Sequence, residues 1–227
     1  MKGLERALCF IGLVMVGLWV ANYAETYAFQ SAESERLDRL LATARPAAGD
    51  SAGFAIAAGS VLGRLEIPRL HISAMIAEGI DSRVLQRAVG HVRVTSRPGQ
   101  PGNMALAGHR DTFFRGLGRV RSNDVIRVVT AEATYLYRVR WQTVVPPRRT
   151  DLLDSTATPS LTLVTCYPFD IIGRAPDRFV VRAEQVTALP SLGARNASPA
   201  ALRAHVRTRR DRESASALES AVFRRNP

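Results

Sequence analysis

The sequence predicts a mainly β domain, a closed barrel or a sandwich, with short helices and behind an N-terminal membrane-spanning helix. Residues 7–24 carry no charged side chain and come close to the roughly 20 apolar residues that a bilayer crossing needs. Residues 61–186 divide into many short β-patterned runs with little helix between them, which argues for closed or double-layered β architecture. Turn-forming clusters, above all RPGQPGN at 97–103, separate these runs.

The 227 residues suffice for one domain plus extensions at either end. A hydrophobic share of 46% supports a sizeable core and excludes wholesale disorder. The formal net charge is +11. The arginines are spread along the chain and thicken towards the C-terminus, without a basic stripe interleaved with aromatics, so nucleic acid is not an expected partner. Cys9 lies in the apolar run, which leaves Cys166 as the only thiol of the folded part and excludes an intradomain disulfide.

Residues 1–6 form the cytoplasmic N-terminus and 7–24 the anchor. Lys2 and Arg6 precede the apolar run, and Glu25, Glu33 and Glu35 follow it. The positive-inside rule then puts the chain after residue 25 on the extracytoplasmic side of the cytoplasmic (inner) membrane, as a single-pass protein. A cleaved signal peptide is the competing reading, but VANYAETYA offers poor small-residue cleavage positions. Trp19, Tyr23 and Tyr27 suit an interfacial aromatic belt, and ordinary packing would use them equally well.

Residues 25–60 are expected to be a juxtamembrane helix and a linker. Over 25–45, Leu37, Leu40 and Leu41 share one face, Pro46 stops the helix, and 46–60 are small and flexible in composition. In the domain at 61–186, RLEIPRL and HISAMI are alternating strands, and residues 79–90 hold a short helix capped by Asp81 or Ser82. NMALAG at 103–108 reads as a buried strand. DVIRVVT and TYLYRVRWQTVV form a hairpin around 131–133, with Tyr135, Tyr137, Val139 and Trp141 on one face. SLTLVTC (160–166) and RFVVRAE (178–184) are two further strands. Residues 187–227 are expected to be a basic tail, a frayed helix from Ser198–Pro199 or disordered.

Cys166 ends one strand, because Pro168 cannot continue a central ladder, and Arg178 begins the next. If the two strands are antiparallel neighbours, Cys166 and Arg178 are stem residues facing each other, with Cα atoms about 4.5–5.5 Å apart. A guanidinium there can stabilise negative charge on sulfur or on a developing oxyanion. Outside the cytoplasm thiols are normally paired, so a lone cysteine is either buried, the commoner fate, or used. A cysteine nucleophile needs an acid/base partner, and histidine is the commonest. His205 is in the tail, His71 reads as structural and His91 is open. His109, at a strand end in AGHRD, has a modest lead by position.

LAGHRD at 106–111, TLVTC at 162–166 and RFVVRA at 178–183 resemble the three signature segments of sortases, in order and at fitting separations. GRLEIPRL at 63–70 is similar to the family's first barrel strand. The similarity spans about residues 61–185, and TCYPF and APDRFVVRA are closest to class D-like and Gram-negative-type sortases. The resemblance implies a closed β-barrel and a cysteine transpeptidase. Cys166 would be its nucleophile, His109 its acid and base, and Arg178 its oxyanion donor. Its substrate would be a protein bearing a C-terminal LPxTG-like sorting signal, transferred to an amine acceptor that the sequence does not name. Thr165 could contact substrate or serve only as a β-branched strand residue. Asp111 could hold His109 or pair with Arg110. No cofactor and no metal are expected, although Asp151 and Asp154 precede the nucleophile strand. An L,D-transpeptidase would show S-x-G-C where this chain has Val164-Thr165-Cys166. A membrane-tethered binding module without catalysis is the rival from another class.

Overall fold

The computed structural model describes residues 2–43, 57–171 and 173–190. The expectations for most of the linker, for His205 and for the tail helix lie outside these residues. Helix α1 runs unbroken over Lys2–Thr43, long and apolar enough to cross a membrane. The domain follows as β1 (Val61–Ile67), β2 (Ile72–Glu78), α2 (Ser82–Arg87), β3 (Val89–His91), β4 (Asn103–Ala107), β5 (Val125–Val129), β6 (Ala133–Val145), β7 (Ser160–Tyr167) and β8 (Asp177–Pro190). Strand β8 continues to Pro190, past the barrel boundary expected at residue 186. The carboxylate of Asp81 caps α2, accepting hydrogen bonds from the Arg83 and Val84 amides.

The eight strands close into a barrel in the order β1-β2-β3-β4-β7-β8-β6-β5. Closure leaves no sheet edge to protect. Pairing is antiparallel except between β2 and β3 and between β4 and β7. Alternate residues point inward, and the core holds Leu65, Ile67, Leu106, Tyr137, Leu163 and Val181, each at most 2% exposed.

Trp141 does not share the inward face of Tyr137 and Val139. The β6–β8 register shifts between Val139 and Trp141. A bulge of this kind adds one residue and reverses the alternation beyond it. Trp141 is therefore 38% exposed, under the Arg182 guanidinium at 5.7 Å from its ring centre.

The C-terminal half of α1 is seated on the barrel. Gln30 bridges two elements: its Nε2 donates to the Arg87 carbonyl at 2.6 Å, and its Oε1 accepts from the Met75 amide at 2.9 Å. Pairing of β2 with β3 begins only at Ile76, so Gln30 satisfies a backbone donor just before that ladder starts. Arg64 Nη1 donates to Ser34 Oγ at 2.7 Å and to Asp38 Oδ1 at 3.0 Å. Leu37 is buried against Met75 and Val129, and Leu41 packs beside it. Leu40, expected on the same face, is 47% exposed. Thr26, Gln30, Ser34, Leu37 and Leu41 recur at helical spacing and form one stripe of the contact, with Phe29 and Asp38 beside it.

Replacing Gln30 with Ala should strand the Met75 amide and cost about 1–3 kcal/mol of local stability. Amide exchange at Met75 should accelerate by about tenfold or more while amides of β7 stay protected. Unchanged exchange at Met75 would show that the helix does not depend on this bridge.

Candidate active site

Strands β4, β7 and β8 lie side by side, and their shared register builds the site. In the antiparallel β7–β8 pair Cys166 stands directly opposite Arg178, and Tyr167 opposite Asp177. The connecting loop is therefore 168–176, one residue shorter at each end than the sequence suggested. On the other side, β4 pairs in parallel with β7 up to Ala107 opposite Val164. The contact continues past the strand: Gly108 N donates to Val164 O at 3.2 Å, and Thr165 Oγ1 donates to Gly108 O at 2.7 Å. His109 follows Gly108 directly, at the same end of the barrel as Cys166.

Parity then decides which way these residues point. Leu161, Leu163, Phe179 and Val181 fill the core. Cys166, Val164, Arg178 and Val180 alternate with them and face outward. The outer surface of the barrel thus ends in Cys166 and Arg178 on adjacent strands, which lie roughly 4.8 Å apart, with His109 two residues beyond the end of β4 on the other side of β7. Both His109 and Cys166 are half-buried. Cys166 is a free thiol.

The two arginines of β8 differ in how they are held. Arg178 Nη1 donates to the Asp177 carbonyl at 2.9 Å and more weakly to Ala175 O at 3.4 Å. Its Nη2 and Nε have no hydrogen-bond partner among the described residues, so donors remain for a ligand. Arg182 donates to Ser160 Oγ at 3.1 Å and to Leu152 O at 2.7 Å, and it stacks on Trp141. It is a structural arginine.

The other candidates are also placed. Thr165 faces inward and is buried, and its hydroxyl holds the Gly108 carbonyl; it fixes the end of β4 and does not line the outer face. His91 is fully buried between Glu78 Oε2 at 3.2 Å and the Ser96 carbonyl at 3.0 Å. His71 sits in the exposed turn after β1, at φ 53°. Asp111 is exposed and pairs with neither His109 nor Arg110. Asp151 is gripped in bidentate fashion by Arg149, at 2.7 and 2.8 Å.

Arg110 is the residue that sequence reasoning missed. It is 8% exposed. Its Nη1 donates to Pro168 O at 2.7 Å, and its Nη2 to Ile171 O at 2.8 Å and Gly173 O at 2.7 Å. The residue next to His109 therefore holds the loop that leaves Cys166. The same loop is seated at Phe169, which packs edge-on against Phe179 at 5.4 Å. Gly118 makes room for that ring: a Cβ there would come within 2.8 Å of it. The adjacency of Arg110 to the histidine was the only signal, and its carbonyl partners lie 58 to 63 residues away.

A groove of about 790 Å³ opens beside His109. One wall carries His109, Asp111 and Phe113, and the other is α1 itself, with Trp19, Asn22 and Tyr23.

Eight strands closed around one core, with a thiol paired across the ladder with a guanidinium and a histidine just past the neighbouring strand, define the class of fold and site. Residues 65–186 match the family model described as the sortase domain, and the chain belongs to the sortase family of transpeptidases, in its class D-like branch. It is 33% identical over 141 residues to sortase D of Bacillus subtilis, covering 62% of this chain and 71% of that protein. Among solved structures it is similar to the sortase D5 transpeptidase of Clostridium perfringens, with a TM-score of 0.54 and 28% identity over 59% of this chain and 83% of the other. Sortase E of Streptomyces avermitilis superposes with a TM-score of 0.53 at 26% identity, over 60% and 93% of the two chains.

Arg110→Ala should release residues 168–176. Proteolysis and amide exchange in that loop should rise sharply, with a stability loss of about 2–4 kcal/mol from the lost charge-assisted bonds. Lys at 110 should recover only a minor part, because a single ammonium cannot span three carbonyls held by a planar fork. A loop equally protected in Arg110→Ala would disprove the tether.

Proposed function

We propose that this sortase is a cysteine transpeptidase in which Cys166 is the nucleophile, His109 the general acid and base, and Arg178 the oxyanion donor. The observation that carries the proposal is the direct cross-strand pairing of Cys166 with Arg178, with His109 just past the end of the neighbouring strand β4. The thiolate sulfur attacks the threonine carbonyl of an LPxTG-like signal. Its C–N bond breaks, the leaving amine takes a proton from His109, and the acyl group stays on Sγ as a thioester. An amine acceptor then attacks that carbonyl and gives its proton to His109, and the thiolate departs. The Nη2 and Nε donors of Arg178, which have no partner among the described residues, support this role, since they are left to hydrogen-bond a carbonyl oxygen as it gains charge.

The substrate is proposed to be a protein with a C-terminal sorting signal. The domain is proposed to act on the extracytoplasmic side of the membrane, with α1 as a single-pass anchor oriented by Lys2 and Arg6. A reporter fused at the C-terminus should be active only outside the cytoplasm, and cytoplasmic activity would reverse the topology.

Cys166→Ala should abolish turnover of a sorting-signal peptide and leave the barrel folded, since the change is small and lies at a strand end. His109→Ala should be severely impaired. Arg178→Lys tests the donor role, because Lys keeps the charge and loses the fork. Its turnover should fall on the order of 100-fold, as for loss of an oxyanion donor. Near-normal turnover by Arg178→Lys would limit this residue to a charge effect, and activity surviving in Cys166→Ala would remove the thiol mechanism altogether.

A further inference from the structure

We infer that the membrane helix is part of the catalytic groove: α1 residues Trp19, Asn22 and Tyr23 form one wall of the subsite for the amine-bearing acceptor, a short peptide with a free N-terminus. The inference rests on the reading of Cys166, His109 and Arg178 given above. Arg178 and His109 flank Cys166 from opposite sides. In that mechanism the acyl oxygen lies towards Arg178, so the amine must approach from the side of His109. The groove of about 790 Å³ is on that side, within the size range of ligand sites.

The chemistry of the walls fits such an acceptor. Asp111, exposed and without an ion pair among the described residues, lies two positions from the histidine and lines the groove. It can receive an ammonium group before that group loses its proton to His109. Arg115 lines the groove too, so both charge signs are present, which suits a peptide with both termini free better than a simple cation. Asn22 adds a side-chain amide, and Trp19 stacks on Tyr23 at 5.7 Å to form an aromatic floor. The α1 wall is not free to drift. Gln30 and Arg64 fix the helix to the barrel two to three turns further on, and Thr26 reaches the Gln86 carbonyl at 3.3 Å. Trp19, Asn22 and Tyr23 all belong to the uncharged run at 7–24. The acceptor would therefore be met where the helix leaves the bilayer.

The test uses the full chain in lipid nanodiscs, a sorting-signal donor peptide and two acceptors. Triglycine has to occupy the groove, whereas hydroxylamine is too small to depend on its far wall. Asn22→Trp narrows the groove from α1. Tyr27→Trp, on a part of α1 that does not line the groove, is the control. The ratio of triglycine to hydroxylamine transfer should fall about fivefold or more in Asn22→Trp, through a higher half-saturating concentration of triglycine, and should match wild type in Tyr27→Trp. An unchanged ratio in Asn22→Trp, or an equal loss in Tyr27→Trp, overturns the inference. Failure of the wild-type chain to form an acyl-enzyme that hydroxylamine releases would instead overturn the catalytic reading on which it rests.

Discussion

The register of β7 against its two neighbours is the constraint on which the site depends. A ladder has a period of two, so a slip of one residue would carry Cys166 from the outer surface into the core and bring Thr165 out. That slip is opposed on both sides of the strand. Leu161 and Leu163 are fully buried in the barrel, and exposing them would cost about 1.5–3 kcal/mol each. At the far end, the Asn103 carboxamide oxygen accepts from Thr162 Oγ1 at 2.7 Å and from Ser160 Oγ at 3.2 Å. These buried polar bonds tie β7 to β4 in one alignment, since other registers would leave them unmet. The positions of the thiol and the guanidinium are thus set by packing and bonding along the whole strand.

Around that site the chain uses bonds to backbone carbonyls to hold what strand pairing does not reach. The loop 168–176 lies beyond the β7–β8 ladder, yet Arg110 takes three of its carbonyls. Thr165 does the same for the end of β4 through Gly108. Each contact joins a residue beside the thiol or the imidazole to the segment carrying the other. The thiol and the histidine are held as one unit, although the chain separates them by more than fifty residues.

Helix α1 is joined to the barrel by a mixed stripe. Leu37 supplies the apolar part, while Gln30 and Ser34 work through hydrogen bonds. Such a seat fixes the orientation of the domain relative to the helix without relying on the residues that link them in sequence. It also brings the uncharged end of α1 to the rim of the groove beside His109.

Much of this was legible in the sequence because it depends on local pattern. Alternation and turn residues defined the strands, the uncharged run at 7–24 marked a helix long and apolar enough to cross a membrane, and Pro168 after Cys166 marked the strand end opposite Arg178. By position His109 has only a modest lead over His91, and the family resemblance decides between them; in space, burial of His91 against Glu78 and Ser96 separates the two. Three features were decided only by tertiary structure. The bulge that turns Trp141 outward comes from fitting β6 to β8, and alternation within β6 alone cannot show it. The stripe on α1 contains Thr26, Gln30 and Ser34, so a search for apolar periodicity found only its leucines. The tether of Arg110 ends on backbone carbonyls, which every residue has, so no residue type at 168, 171 or 173 announces it. Sequence determines what each residue can offer, and for contacts made to the backbone only the folded chain selects the partner.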